Sequence, residues 1–224
     1  MKLSISGIGE TFNFEEHPIY TVCVENKMLY KDIVTRLYSA WRGENDDIFL
    51  YDGNKKLDFT KSSEIVNNIF NLDFGGTKLT NALYNNLKTI IQSSSLNEDY
   101  QQMVSNLTNF FDKVKNSSDY NIEWEDIDII SLLKVASFKF NNAENDNLLK
   151  RLLDYIHLYS DALGVKLFIF MNTKCIFNEN EIGQLYHQCA LEGCNILNID
   201  CISSNRVTKE EELIIIDSDL CEIK

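Results

Sequence analysis

A chain of 224 residues with 44% hydrophobic and 25% charged side chains has ordinary globular composition, long enough for one large domain or a domain carrying a sizeable insertion. One proline, Pro18, and nine glycines exclude a Pro/Gly-rich linker. The formal charge of −13 argues against a non-specific nucleic-acid coat, which would be basic. Residues 76–160 carry 8 basic and 11 acidic side chains, but five of those acids fall between Asp119 and Asp128. The rest of the middle is therefore slightly basic, and the two ends are acidic.

Leu3, Ile5, Ile8, Phe12 and Phe14, then Ile19, Tyr20, Val22 and Val24, alternate loosely. They predict short strands with turns around Gly7-Ile8-Gly9 and His17-Pro18. Leu29, Tyr30, Ile33, Val34, Leu37, Tyr38 and Trp41 form a helix stripe over 27–41. A short buried strand follows at Ile48 to Tyr51, and Asp52-Gly53 marks a tight turn. Ser62 to Phe70 reads as another short helix, with Ser62 and Ser63 as caps.

From Thr77 the period changes to 3.6. Leu79, Leu83, Leu87, Ile90 and Ile91 make one stripe; Leu96, Tyr100, Met103, Val104, Leu107, Phe110, Phe111 and Val114 make a second. Ile127, Ile130, Leu133 and Lys134 suggest a shorter helix, and Ser137 to Phe140 a strand or extended link. Leu148, Leu149, Leu152, Leu153, Ile156 and Tyr159 form a further strong stripe. Helices of this length can pack as an antiparallel hairpin or bundle. The end returns to strand–helix–strand order. Lys166 to Met171 is an apolar run typical of a strand covered on both faces. Asn178 caps a helix to Ala190 with Glu181 at the capping-box position, and Cys194 to Cys201 is a second covered strand. Glu210-Glu211-Glu212 leads into a strand at Leu213 to Ile216, with a last short strand beyond Asp219. Such a unit implies a parallel pair with a crossover helix. The fold class is therefore α/β. The two chain ends, 1–75 and 161–224, share one sheet as an α/β head, and 76–160 is an inserted α-helical leg.

No enzyme motif completes itself. Gly75-Gly76-Thr77-Lys78-Leu79-Thr80 lacks the Gly-Lys-Ser/Thr core of a phosphate loop, and reads as a turn capping the next helix. Asp73-Phe74-Gly75 spells a kinase tripeptide without a glycine-rich or catalytic loop before it. The six cysteines form no Cys-x-x-Cys pair and read as reduced core or near-core residues. No apolar run is long enough to cross a bilayer, and none follows Met1-Lys2-Leu3-Ser4, so a cytoplasmic protein is expected. Asp217 and Asp219 near the C-terminus are either a divalent-metal site of a phosphohydrolase or a solvated strand edge. Five carboxylates between Asp119 and Asp128 repel one another unless solvated or bridged by a cation. A solvated lead-in to a helix and a calcium site both fit that run.

Four blocks in this order carry a family likeness: Leu57 to Phe74, Asn121 to Phe140, Lys166 to Glu181, and the terminal run from Ile214 to Ile223. Together they make the chain resemble the small, ring-forming adaptation proteins of type II-A CRISPR systems. The resemblance implies an α/β head like a nucleotide-hydrolase core without its phosphate loop, no catalysis, and a homotetrameric ring that takes double-stranded DNA through its hole. It implies calcium near the head–leg junction, with Asp119, Glu123, Asp126 and Asp128 as candidates by position. It also implies a role in spacer acquisition beside the CRISPR integrase proteins and the effector nuclease. Lys134 and Lys139 align with lysines of the family's helix-and-strand block and are candidate DNA contacts, with Lys150 and Arg151 from the next helix; a solvated helix face is the other reading of all four. One departure stands out. Asp161-Ala162-Leu163-Gly164-Val165 occupies the place of a lysine cluster, so part of the basic lining is expected to be missing or moved.

Overall fold

The computed structural model describes residues 1–5, 11–45, 47–140, 147–202 and 205–223, so the predicted turn at Gly7-Ile8-Gly9 lies outside the described residues. The chain divides into two compact units, Met1–Leu72 with Glu144–Lys224, and Asp73–Ala143.

The first unit opens with strands β1 (Lys2–Ile5), β2 (Thr11–Asn13) and β3 (Ile19–Val24), helix α1 (Lys27–Trp41), strands β4 (Ile48–Asp52) and β5 (Lys55–Leu57), a single helical turn α2 (Phe59–Ser62) and strand β6 (Ser63–Val66). It resumes with helix α6 (Leu148–Leu163), β7 (Leu167–Met171), α7 (Glu179–Leu191), β8 (Asn195–Asp200), β9 (Glu211–Ile216) and β10 (Glu222–Ile223). The second unit holds α3 (Thr77–Ser93), α4 (Leu96–Asn116) and α5 (Ile129–Val135).

The main sheet has the order β10-β9-β3-β8-β7-β6. β3 lies between two C-terminal strands, parallel to both, with Ile19 opposite Ile196 of β8 and Glu211 of β9. The two chain ends thus share one sheet. Four further strands form a separate sheet, β2-β1-β4-β5, paired antiparallel throughout. Every residue of β3 and β7 is buried, as expected for parallel strands covered on both faces. Ile33, Leu37 and Ala40 of α1 join Val22, Leu167, Ile169, Leu197 and Ile199 of this sheet, and Leu3, Ile5 and Leu50 of the other, in one core. Full burial of one such aliphatic side chain stabilises by about 1.5–3 kcal/mol. The crossover helix α7 carries the expected capping box. Asn178 Oδ1 accepts from Glu181 N at 3.1 Å, and Glu181 Oε2 accepts from Asn178 N at 3.0 Å.

Three local expectations change. Ser62 to Phe70 is not a helix: the helical turn ends at Ser62, and Ser63–Val66 is a buried strand pairing in parallel with β7. Ser63 Oγ donates backward to the Phe59 carbonyl at 2.6 Å instead of capping a helix ahead. Of the two readings of Ser137 to Phe140, strand or link, no strand forms: Ser137 lies in the turn after α5 and residues 138–140 have no regular structure. The helical unit ends at Ala143 rather than 160, because α6 belongs to the α/β unit. Its stripe of Leu149, Leu152, Tyr155, Ile156 and Tyr159 is buried, Tyr155 OH donates to Glu64 of β6 at 2.7 Å, and His157 Nδ1 meets Glu192 after α7 at 2.9 Å.

The helical unit has a small core. Tyr84 of α3 and Ile129 and Leu133 of α5 are buried, with Leu87, Ile91, Tyr100 and Ile130 packed against them. α4 has no buried residue at all. Its Leu96, Met103, Phe110 and Val114 are exposed, as is Ile90 of α3. All six cysteines are free; Cys23, Cys189 and Cys194 are buried, whereas Cys175, Cys201 and Cys221 are exposed in loops, so the core reading holds for three of them.

Candidate nucleic-acid interface

The candidate DNA contacts divide between the two units. Lys134 is exposed in the last turn of α5, where a cation complements the carbonyl end of the helix. Ser137, at φ 53°, ends that helix in the left-handed region and donates its N–H to the Lys134 carbonyl at 3.0 Å. Lys139 follows two residues later and is exposed, with Val135 and Phe138 exposed between the two lysines. Lys150 and Arg151 lie in the first turn of α6, exposed and half-buried respectively. Among the described residues, none of these four cations takes part in an ion pair. Lys134 and Lys139 thus stand in one unit, with Lys134 near enough to Asp128 to help lower its carboxyl; Lys150 and Arg151 belong to the other.

The acidic segment before α5 has a defined local structure. Trp124 Nε1 donates to Asp112 of α4 at 3.2 Å, and the Trp124 ring lies 5.7 Å from that of Phe111. Tyr100 OH donates to the Ile127 carbonyl at 3.2 Å. Asp119, Glu123, Asp126 and Asp128 are all exposed. Asp128 is the N-cap of α5. Its Oδ1 accepts from Ser131 N at 3.1 Å and its Oδ2 from Ser131 Oγ. These two hydrogen bonds hold its carboxyl below the usual carboxylate range. Among the described residues no three His, Cys, Asp or Glu side chains converge as metal ligands. As arranged here, Asp128 is committed to a cap and, among the described residues, the four acids do not gather round one point.

The cap gives a test that separates the two roles of Asp128. Asp128→Ala is expected to speed amide exchange at Ser131 and through the first turn of α5. Asp128→Asn keeps an acceptor for Ser131 N and is expected to preserve that protection. Equal exchange in wild type and the alanine variant would remove Asp128 from the cap.

The remaining motifs resolve as local structure. Asp73 Oδ1 accepts from Gly75 N at 2.9 Å, and a Cβ on Gly76 would come within 2.7 Å of Asp73 Oδ2. A side-chain carboxylate thus occupies the turn before α3 where a phosphate loop would hold its anion. Asp217 Oδ1 accepts from Asp219 N at 2.9 Å and Cys221 N at 2.8 Å, which closes the turn between β9 and β10.

Sequence reasoning missed a buried polar network on the sheet face toward α7. Glu211 is fully buried at the start of β9. Its Oε1 accepts from Thr21 Oγ1, from Lys174 Nζ and from Tyr186 OH, and its Oε2 accepts from Val207 N at 2.7 Å. Lys174 also donates to the Asn205 carbonyl at 3.0 Å and is itself almost fully buried. Thr21 and Asn198, polar residues inside otherwise apolar strands, were the available signal; Glu211 was hidden in a glutamate triplet.

Among the described residues no helix is long and apolar enough to cross a membrane. No curated protein matches the chain. The family model described as CRISPR-associated protein (Cas_Csn2) matches residues 40–220, which takes in most of both units, and the chain therefore belongs to this CRISPR-associated family.

Proposed function

We propose that the chain acts in spacer acquisition by binding the ends of linear double-stranded DNA, without regard to sequence, as a homotetrameric ring that catalyses no reaction itself. The observation that carries this reading is the pair of exposed lysines, Lys134 and Lys139, in no ion pair among the described residues, beside the C-terminus of α5 within the matched family region. Exposed ammonium groups are available to phosphates, and phosphate contacts bind without reading bases. The uncovered apolar side chains of α4 support the assembly, because exposed apolar area of this kind marks an interface. In this reading the integrase proteins and effector nuclease of the system are partners. Calcium is the ion that relieves repulsion among Asp119, Glu123, Asp126 and Asp128, and its binding requires that segment to leave the conformation described above.

Light scattering tests the assembly. Wild type is expected as a particle of four chains rather than one of 25.9 kDa, and calcium is expected to raise its melting temperature. Phe110→Glu with Val114→Glu would bury carboxylates at a cost of at least roughly 1–3 kcal/mol each. The variant is therefore expected to run as smaller species with its helical content kept. A wild-type monomer at micromolar concentration with and without calcium would end the ring reading. Unchanged melting in calcium would end the calcium part alone.

A further inference from the structure

The carboxyl end of the main sheet holds buried oxygen atoms that the described residues leave unsatisfied. Asn198 and Asp200 stand two residues apart on β8 and so project from the same face. That face is the one toward α7, because Asn198 Nδ2 donates to Tyr186 OH at 2.8 Å and to Thr21 Oγ1 at 3.0 Å. Thr173 opens the tight turn after β7, whose last residue, Met171, pairs with Ile199. Asn172 ties this turn to β8: its N–H donates to the Ile199 carbonyl at 3.1 Å, and its Oδ1 accepts from Cys201 N at 2.9 Å. Thr173, Asn198 and Asp200 are 0%, 1% and 1% exposed. Yet among the described residues Thr173 Oγ1, Asn198 Oδ1 and both carboxylate oxygens of Asp200 have no hydrogen-bond partner.

Buried polar atoms are nearly always paired, and an orphan needs a reason. Three of these four atoms, the amide oxygen and an ionised carboxylate's two oxygens, can only accept. What satisfies them must donate hydrogen bonds or carry positive charge. The chain's own cation is already committed, since Lys174 is held by Glu211 and the Asn205 carbonyl. Lys174 and Glu211 cancel in formal charge, which leaves Asp200 as one surplus negative charge among the described residues here. Burial, with Glu211 adding to it, pushes the Asp200 carboxyl up to about 6, against the smaller opposing pulls of Lys174 and of the nearby Asn172 amide. A single monovalent cation would neutralise this place. A divalent ion would leave surplus positive charge beside Lys174. Hard cations take oxygen ligands of these kinds, carboxylate, amide carbonyl and hydroxyl. Access is short, because Cys175 and Cys201, at the ends of the same two segments, are exposed.

We propose that Thr173, Asn198 and Asp200 form a site for one alkali cation, sodium or potassium, at the carboxyl end of β7 and β8. The ion clamps the turn after β7 to the end of β8. The site is independent of DNA binding and lies in the α/β unit, apart from the acidic segment before α5.

Thermal unfolding of the full chain at pH 8 tests this, in sodium, potassium, choline or magnesium chloride at equal ionic strength. Sodium or potassium at ten times its Kd is expected to raise the melting temperature by about 3–6 °C over choline. Asp200→Asn is expected to abolish that difference, and Thr173→Val, which keeps the charge, to reduce it. Equal melting in all four salts would overturn the site, including the case where Asp200→Asn stabilises equally in every salt, which marks protonation or a bound water instead. Survival of the alkali response in Asp200→Asn would overturn the ligand assignment. A response to magnesium alone would overturn the monovalent ion.

Discussion

Replacing Lys134 and Lys139 together by alanine is expected to weaken binding of linear duplex DNA roughly 10- to 100-fold at about 0.1 M salt. Each lysine that meets a phosphate contributes about 0.9 to the slope of log K against log salt. Losing two such contacts per engaged chain should flatten that slope by about 1.8 and lower affinity alike for every sequence. The net charge of −13 does not oppose this. Screening over about 8 Å hides distant carboxylates, so the field at a phosphate is set by its nearest charges. Symmetry would present four copies of one small basic patch to the same duplex. Lys150→Ala and Arg151→Ala, in the other unit, are controls expected to act less, because Arg151 is half-buried. An unchanged affinity and salt slope in the double variant would take Lys134 and Lys139 out of the interface.

The second large effect concerns the α/β unit. Lys174→Met leaves Glu211 fully buried, without its cation, among Thr21, Tyr186 and the Val207 amide. Breaking a buried pair by removing one partner costs roughly 3–5 kcal/mol, because the remaining charge can neither hydrate nor pair. Melting is expected to fall by about 10 °C in a chain of this size. Lys174→Met combined with Glu211→Gln removes both charges and is expected to recover part of that loss. A loss below about 1 kcal/mol in the single variant would show that the pair behaves as a solvated one.

Local chemistry was readable along the chain, as was the sheet shared by the two chain ends, but the partners of individual short elements were not. The Asn178–Glu181 capping box depends on four consecutive residues and forms as its spacing requires. Lys166 to Met171 was legible because an unbroken apolar run suits only a strand covered on both sides. Ser63–Val66 was misread because a four-residue strand carries too little period, and Ser62 before it with Ser63 at its start imitates a helix cap. The stripe of α6 revealed a helix but not its partner; a helix repeat says which face is apolar, never which unit covers it. The same limit hid Glu211, whose donors come from β3, α7 and the turn after β7. At the candidate site, family likeness pointed to Lys134 and Lys139, and the structure leaves both exposed and outside any ion pair among the described residues. The acidic run had density but no convergence, because composition counts carboxylates without saying where they point.

Threading is the feature that separates a ring on DNA from any open basic surface, and it needs a free end. The direct measurement compares affinity for a linear duplex with that for a covalently closed relaxed circle of the same sequence, at one salt concentration. The linear form is expected to bind well and the circle poorly, with binding to the circle restored by a single double-strand cut. Equal affinity for both forms would contradict the ring reading, whatever the lysine variants show.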